Sequence, residues 1–304
     1  MRRRDWLAGA LGAAGGAAAL ALGGCAAPGV TSSDTLTDLG SGRRIDRDEL
    51  LAALLRADLV LLGEQHDNPL HHQRRGELLA ALGAAAGGGV TVVAEHLTRG
   101  QAVRFGEDLP ASLAAAGFEP KGWGWPLHQP LFAAVQRAGL PLSGGNLPRE
   151  LARAIARQGE AALPADLAAL LAAAPLDAAA QAALDADLQR GHCGQLPAAR
   201  LPAMRLAQRA RDAAMAQALL ASGGRPAVLL AGNGHVRSDY GVPRLLAAQR
   251  PGARWLAVGF VDDGADLAPG AAPYTHLWRT AAPVRSDACA GFTLPAAPAA
   301  SAAR

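Results

Sequence analysis

Short apolar runs, each four to six residues long and bounded by glycine or polar residues, constrain this chain more than any other feature: Asp58–Gly63 (DLVLLG), Val90–Ala94 (VTVVA), Leu140–Ser143 (LPLS), Ala227–Ala231 (AVLLA) and Trp255–Phe260 (WLAVGF). Helical patterns separate them, and that alternation defines an α/β domain with a mostly parallel central sheet flanked by helices. Runs such as LVLL do not alternate with polar residues, so both faces of these strands must be covered. His276–Arg279 adds an edge strand. Between the third and fourth strands, Arg149 to Ser222 reads as a helical insertion of three or four helices, broken at Pro164, Pro175 and Pro197. Half of the 304 residues are hydrophobic, enough for one sizeable core. That core domain is expected to begin near Ile45, with the helix RDELLAALLRA, and to run to Phe292. The low-complexity stretch 293–304, TLPAAPAASAAR, reads as a disordered tail.

The N-terminus follows a different grammar. Residues 1–24 open with three arginines and continue through small apolar residues to Leu22-Gly23-Gly24-Cys25. This is a secretory signal, too rich in glycine and alanine for a membrane span, and its end resembles a lipobox with Cys25 as the lipidated first residue. Arg3-Arg4-Asp5-Trp6-Leu7 also resembles a twin-arginine export signal. Residues 25–44 are then a small, polar tether between the lipid and the domain. Loss of the signal takes the net charge from +3 to +1, which removes any electrostatic case for nucleic acid. With Cys25 used by the lipid, Cys193 and Cys289 are left as an even pair in an oxidising compartment, and a Cys193–Cys289 disulfide is expected.

Ligands of open parallel sheets bind outside the carboxyl ends of the strands. The first strand here ends Gly63-Glu64-Gln65-His66-Asp67, the second Ala94-Glu95-His96, and the fourth Gly232-Asn233-Gly234-His235, with Arg237, Asp239 and Tyr240 behind it. Any one of these histidines alone is most simply a hydrogen-bonded structural residue. Two Gly-x-x-His turns and two glutamates together would bury polar groups at a cost unless they form a site. Asn68 fits a helix N-cap and Pro69 the first helical position. His71 and His72, one turn on, are expected to face solvent, with the alternative that one of them reaches the same crevice at the strand ends. A second feature is KGWGWPLHQPLF, Lys121 to Phe132, which concentrates Trp123, Trp125 and Phe132 in a chain with only 4% aromatics. It reads either as a helix entry packed on the core or as the wall of a pocket for a planar ligand, with His128 available to a metal.

The blocks LLGEQHDNPLHHQ, VVAEHL, GWGW with GGNLPRE, GHCGQLP with the following Met204 and AQRARDAAMA, AGNGHVRSDYGVPR and DACAGF, in this order from Asp58 to Phe292, resemble the ChaN-type iron-regulated haem-binding lipoproteins of Gram-negative bacteria. The resemblance implies a lipid-anchored periplasmic protein, on the outer membrane, that holds haem for iron acquisition or trafficking. It further implies two haems face to face at a homodimer contact, and an outer-membrane haem or iron receptor as partner. Such proteins use a tyrosine on the iron. Here the segment after the tryptophans has His128 where those relatives have tyrosine, which leaves His128, His66, His235 and Tyr240 as candidate iron ligands, with Trp123 and Trp125 beside the ring. The paired Gly-x-x-His turns also resemble erythromycin-esterase-like and TraB/TIKI-type proteins. On that reading the chain is a hydrolase: His66 is a base or metal ligand, Glu64 and Glu95 orient it or activate water, and His235 stabilises charge or binds metal. The tryptophan segment favours haem; the acidic GEQHD turn favours hydrolysis.

Overall fold

Strand β3 (Leu59–Leu62) shows how the chain is layered: Val60 and Leu62 enter one core cluster and Leu59 and Leu61 the other, as the two-residue period of a strand requires. The same division holds for β6 (Ala227–Leu230) and for the first half of β4 (Thr91–Thr98), up to the register shift after Ala94. The structure, a computed structural model, describes residues 34–265, 267 and 272–293. The signal sequence, Cys25, the first part of the tether and residues 294–304 lie outside the described residues.

The remaining strands are β1 (Thr35–Asp38), β2 (Arg44–Ile45), β5 (Leu142–Asn146), β7 (Trp255–Asp262) and β8 (His276–Thr280). They form one eight-stranded mixed sheet in the order β2-β1-β8-β7-β3-β6-β4-β5. The pairs from β8 through to β5 are parallel, while β1 is antiparallel to both β8 and β2. Thus the sheet begins earlier than Ile45. Thr35–Asp38, read from sequence as tether, is a strand with one buried residue, Leu36. Four residues of TLTD carry too little apolar pattern to announce it.

Helices α1 (Arg47–Leu55), α2 (Pro69–Ala85), α3 (Leu109–Ala115) and α4 (Gln129–Arg137) cover one face. The other face carries α5 (Arg149–Gln158), α6 (Ala165–Ala173), α8 (Leu201–Ala221) and α9 (Val242–Gln249), with α7 (Ala178–Gly191) packed outside on α8. Helices α5 to α8 are the expected insertion, and prolines 164 and 197 mark breaks in it. After β3 the chain passes into α2 on one face; after the neighbouring β6 it passes into α9 on the other. The carboxyl ends of β3 and β6 are therefore a topological switch point, where an open sheet leaves a crevice. Both Gly-x-x-His turns lie there. Among the described residues no helix is long and apolar enough to cross a membrane.

Candidate functional site

Glu95 and His96 are consecutive on β4, at the point where its pairing with β5 shifts register. The strand period sends them to opposite faces, and each anchors one half of the site. Glu95, on the α8 side, accepts from the Gly232 backbone N–H at 2.8 Å and from Arg211 Nη2 at 2.6 Å, and stands 3.2 Å from His235 Nε2. His235 Nδ1 lies 2.5 Å from Asp212 Oδ1. Burial works against charge on His235, but Glu95 and Asp212 overcome it and push the imidazole up to about 9. Burial also opposes charge on Glu95, and His235 and Arg211 nevertheless hold its carboxyl well below the ordinary range. This half is a closed network of paired charges.

The other half gathers around Glu64, just past β3. Its Oε1 faces His66 Nδ1 at 2.8 Å, His128 Nε2 at 3.5 Å and His96 Nε2 at 3.6 Å. Its Oε2 is taken by the fully buried Arg75, which also reaches His72 Nδ1 at 3.0 Å. Burial pulls the Arg75 guanidinium down to about 9. The rings crowd together: His72 and His128 lie 3.9 Å apart by centroid, His96 and Trp123 4.3 Å, and His96 and Phe132 5.2 Å. Burial keeps His96 and His128 far below the ordinary histidine value, as neutral imidazoles. His66 belongs to both halves. Its ring rests so close over Gly232 that a Cβ there would sit 3.1 Å from it and 3.6 Å from Glu95 Oε2, so any larger residue would have to displace the imidazole.

Glu64, His66, Glu95 and His235, the strand-end residues singled out from sequence, are thus brought together. His71 and His72 are fully buried, against the expectation that they face solvent. His71 Nδ1 accepts the Gln65 N–H at 3.0 Å, His72 Nε2 meets the His66 carbonyl at 2.9 Å, and both hold the turn from beneath. Tyr240 is elsewhere: it is buried in a small cluster with α7 and its hydroxyl donates to Asp187. Trp125 packs on Phe118 at 5.6 Å, while Trp123 turns inward.

Trp123 and His96 form one wall of a cavity of about 610 Å³, which continues past Glu95 and Arg211 to Arg149, Arg153, Met204 and His192. His192 and Met204 were not singled out from sequence as site residues. His192 Nδ1 donates to the Leu188 carbonyl at 2.7 Å, which fixes the tautomer with a lone pair on Nε2. The next residue, Cys193, adopts a positive φ of 54° and forms the expected disulfide with Cys289, with their Cα atoms 5.5 Å apart.

This fold and site define an α/β protein with its ligand crevice at a topological switch point. The model of the family described as haem-binding uptake, Tiki superfamily, ChaN matches residues 50–246, and the chain belongs to that family. Among solved structures it is similar to one described as cofacial haem binding to ChaN of Campylobacter jejuni, with a TM-score of 0.67, 17% identity, and coverage of 83% of this chain and 98% of that one. An erythromycin esterase in its open conformation superposes with a TM-score of 0.44 at 16% identity, covering 85% of each chain. The type III effector HopBA1 gives 0.42 at 16% identity, over 77% of this chain and 93% of that one. No curated protein matches the chain in sequence.

Proposed function

We propose that this protein holds haem in the cavity between Trp123 and the helical insertion, tethered to a membrane of the bacterial envelope by a lipid on Cys25. The cavity itself carries the reading. Its volume of about 610 Å³ lies within the range of cofactor sites. Trp123 offers a flat apolar wall to a macrocycle. Arg149 and Arg153 line the cavity, are exposed, and form no salt bridge among the described residues, so they suit the two propionates. His192 Nε2 and Met204 supply the kinds of lone pair that haem iron accepts. Bound haem would supply the iron; the protein's part is to orient the ring, neutralise its carboxylates and shield one face.

A periplasmic domain on the outer membrane, pairing of two copies across exposed haem faces, and a receptor that exchanges haem with it complete the reading. The family resemblance and the lipobox support these parts. The hydrolase reading has the Glu64–His66–Glu95–His235 grouping in its favour and explains neither the cavity nor its arginines.

Filling the cavity tests the reading. Ala156, on α5, lines it, and Ala156→Trp should abolish saturable haemin binding while leaving the circular dichroism unchanged. Haemin affinity equal to that of the parent would place the haem elsewhere.

A further inference from the structure

Apart from His96, which also lines that cavity, the Glu64 half of the site has no task in holding haem, and its geometry is that of a small coordination sphere. Three donor atoms, one each from Glu64, His66 and His128, lie within 4.8 Å of one another. Around Glu64 Oε1 the separations are 2.8 Å to His66 Nδ1, 3.5 Å to His128 Nε2 and 3.6 Å to His96 Nε2. A metal ion with bonds of about 2.0–2.2 Å sets neighbouring ligands roughly 3 to 3.5 Å apart. We propose that Glu64, His66, His96 and His128 bind one divalent first-row transition-metal ion, separate from haem.

A second, independent observation points the same way. The side chains of Glu64, His96 and His128 are wholly buried, and neither ring nitrogen of His96 or of His128 has a hydrogen-bond partner among the described residues. Two adjacent buried imidazoles without partners cost free energy that a metal ion would recover. Their surroundings explain the partnering of the carboxylate. Arg75, itself held by His72 Nδ1, occupies Oε2 and turns Oε1 toward the imidazoles, as outer-shell groups do around a metal. His72 is itself no ligand: its Nε2 meets the His66 carbonyl at 2.9 Å and its Nδ1 meets Arg75 at 3.0 Å.

Enclosure decides between a bare ion and a macrocycle. Trp123 and Phe132 pack on His96 at 4.3 and 5.2 Å, and the His72 ring lies 3.9 Å from that of His128, so no porphyrin reaches this pocket. An ion can enter past His66, whose side chain is 51% exposed. Three nitrogens and one oxygen suit zinc or ferrous iron rather than calcium or magnesium.

Zinc sulfate titrated into the purified chain against a chromophoric chelator is the test, followed by cobalt substitution read in the visible spectrum. The expected result is one ion per chain, a Co²⁺ spectrum of low coordination number, and an affinity for Zn²⁺ that falls by more than about 100-fold in His128→Ala. His96→Gln serves as a second variant should His128→Ala not fold, and the cobalt spectrum of the parent protein needs no variant. Binding no tighter than in His96→Gln, or a cobalt spectrum like that of the hexaaqua ion, overturns the proposal.

Discussion

Glu95 and His96 share a strand and a switch point, and the halves they anchor are built on opposite electrostatic plans. On the Glu95 side each charged group meets an opposite charge: the carboxylate has Arg211, His235 and a backbone N–H, and His235 has Asp212 as well. On the Glu64 side one ion pair with Arg75 is surrounded by neutral imidazoles, and those of His96 and His128 are unpartnered. The first arrangement pairs its charges and fixes the crevice wall, with only Asp212 Oδ2 and Arg211 Nε left over among the described residues. The second is balanced in charge but rich in unused lone pairs, which is what a transition-metal ion seeks.

The largest effect is expected where the paired network is broken. Glu95→Ala leaves His235, Asp212 and Arg211 unbalanced in the interior and should cost ~3–5 kcal/mol, read as a lower urea midpoint. A cost under about 1 kcal/mol would show that water enters and pairs them.

Titration separates the halves next. His235 stands at about 9 against an ordinary 6.5, so its contribution, ~3 kcal/mol, is fully present below about pH 6.5 and is lost as pH rises through about 9. His71 is pulled down to about 4, chiefly by burial, so it costs nothing above about pH 6.5 and destabilises as pH falls toward 4, where the unfolded chain is protonated first. Stability should peak near pH 6.5. His235→Gln should flatten the alkaline side and spare the acid side; two unchanged limbs would remove His235 from the account.

Adding metal sharpens the contrast. Zinc at about 100 times its dissociation constant should stabilise the parent by ~2.7 kcal/mol and His128→Ala hardly at all. Equal stabilisation of both would place the ion outside this pocket. Smallest is the rim of the cavity: Arg149→Ala or Arg153→Ala should weaken haemin binding by less than about tenfold, because each arginine is exposed. No change in the double variant would mean that the propionates point elsewhere.

The sheet and its functional edge were legible because parallel strands must be apolar on both faces, and Gly63, Glu64, Glu95, Gly232 and His235 interrupt those runs abruptly. The partners were not legible. Arg75, Arg211 and Asp212 lie on helices whose sequence looks like an ordinary amphipathic surface, and only the packing of α2 and α8 against the strand ends buries Arg75 and Asp212 and turns Arg211 onto Glu95. His71 and His72 misled for the same reason: a first helical turn is exposed in isolation, and here it lies beneath the GEQHD turn. His192 was hidden in an alanine-rich insertion, where helix periodicity does not show which side meets the cavity.

Haemin titrated into the purified chain, with the Soret band and the mass in solution followed together, tests the central claim most directly. The account predicts a saturable, red-shifted band, a change in its position in His192→Ala, and a stoichiometric shift to a dimer. A flat titration would contradict it and leave the Glu64 and Glu95 groups to be tested as hydrolytic machinery.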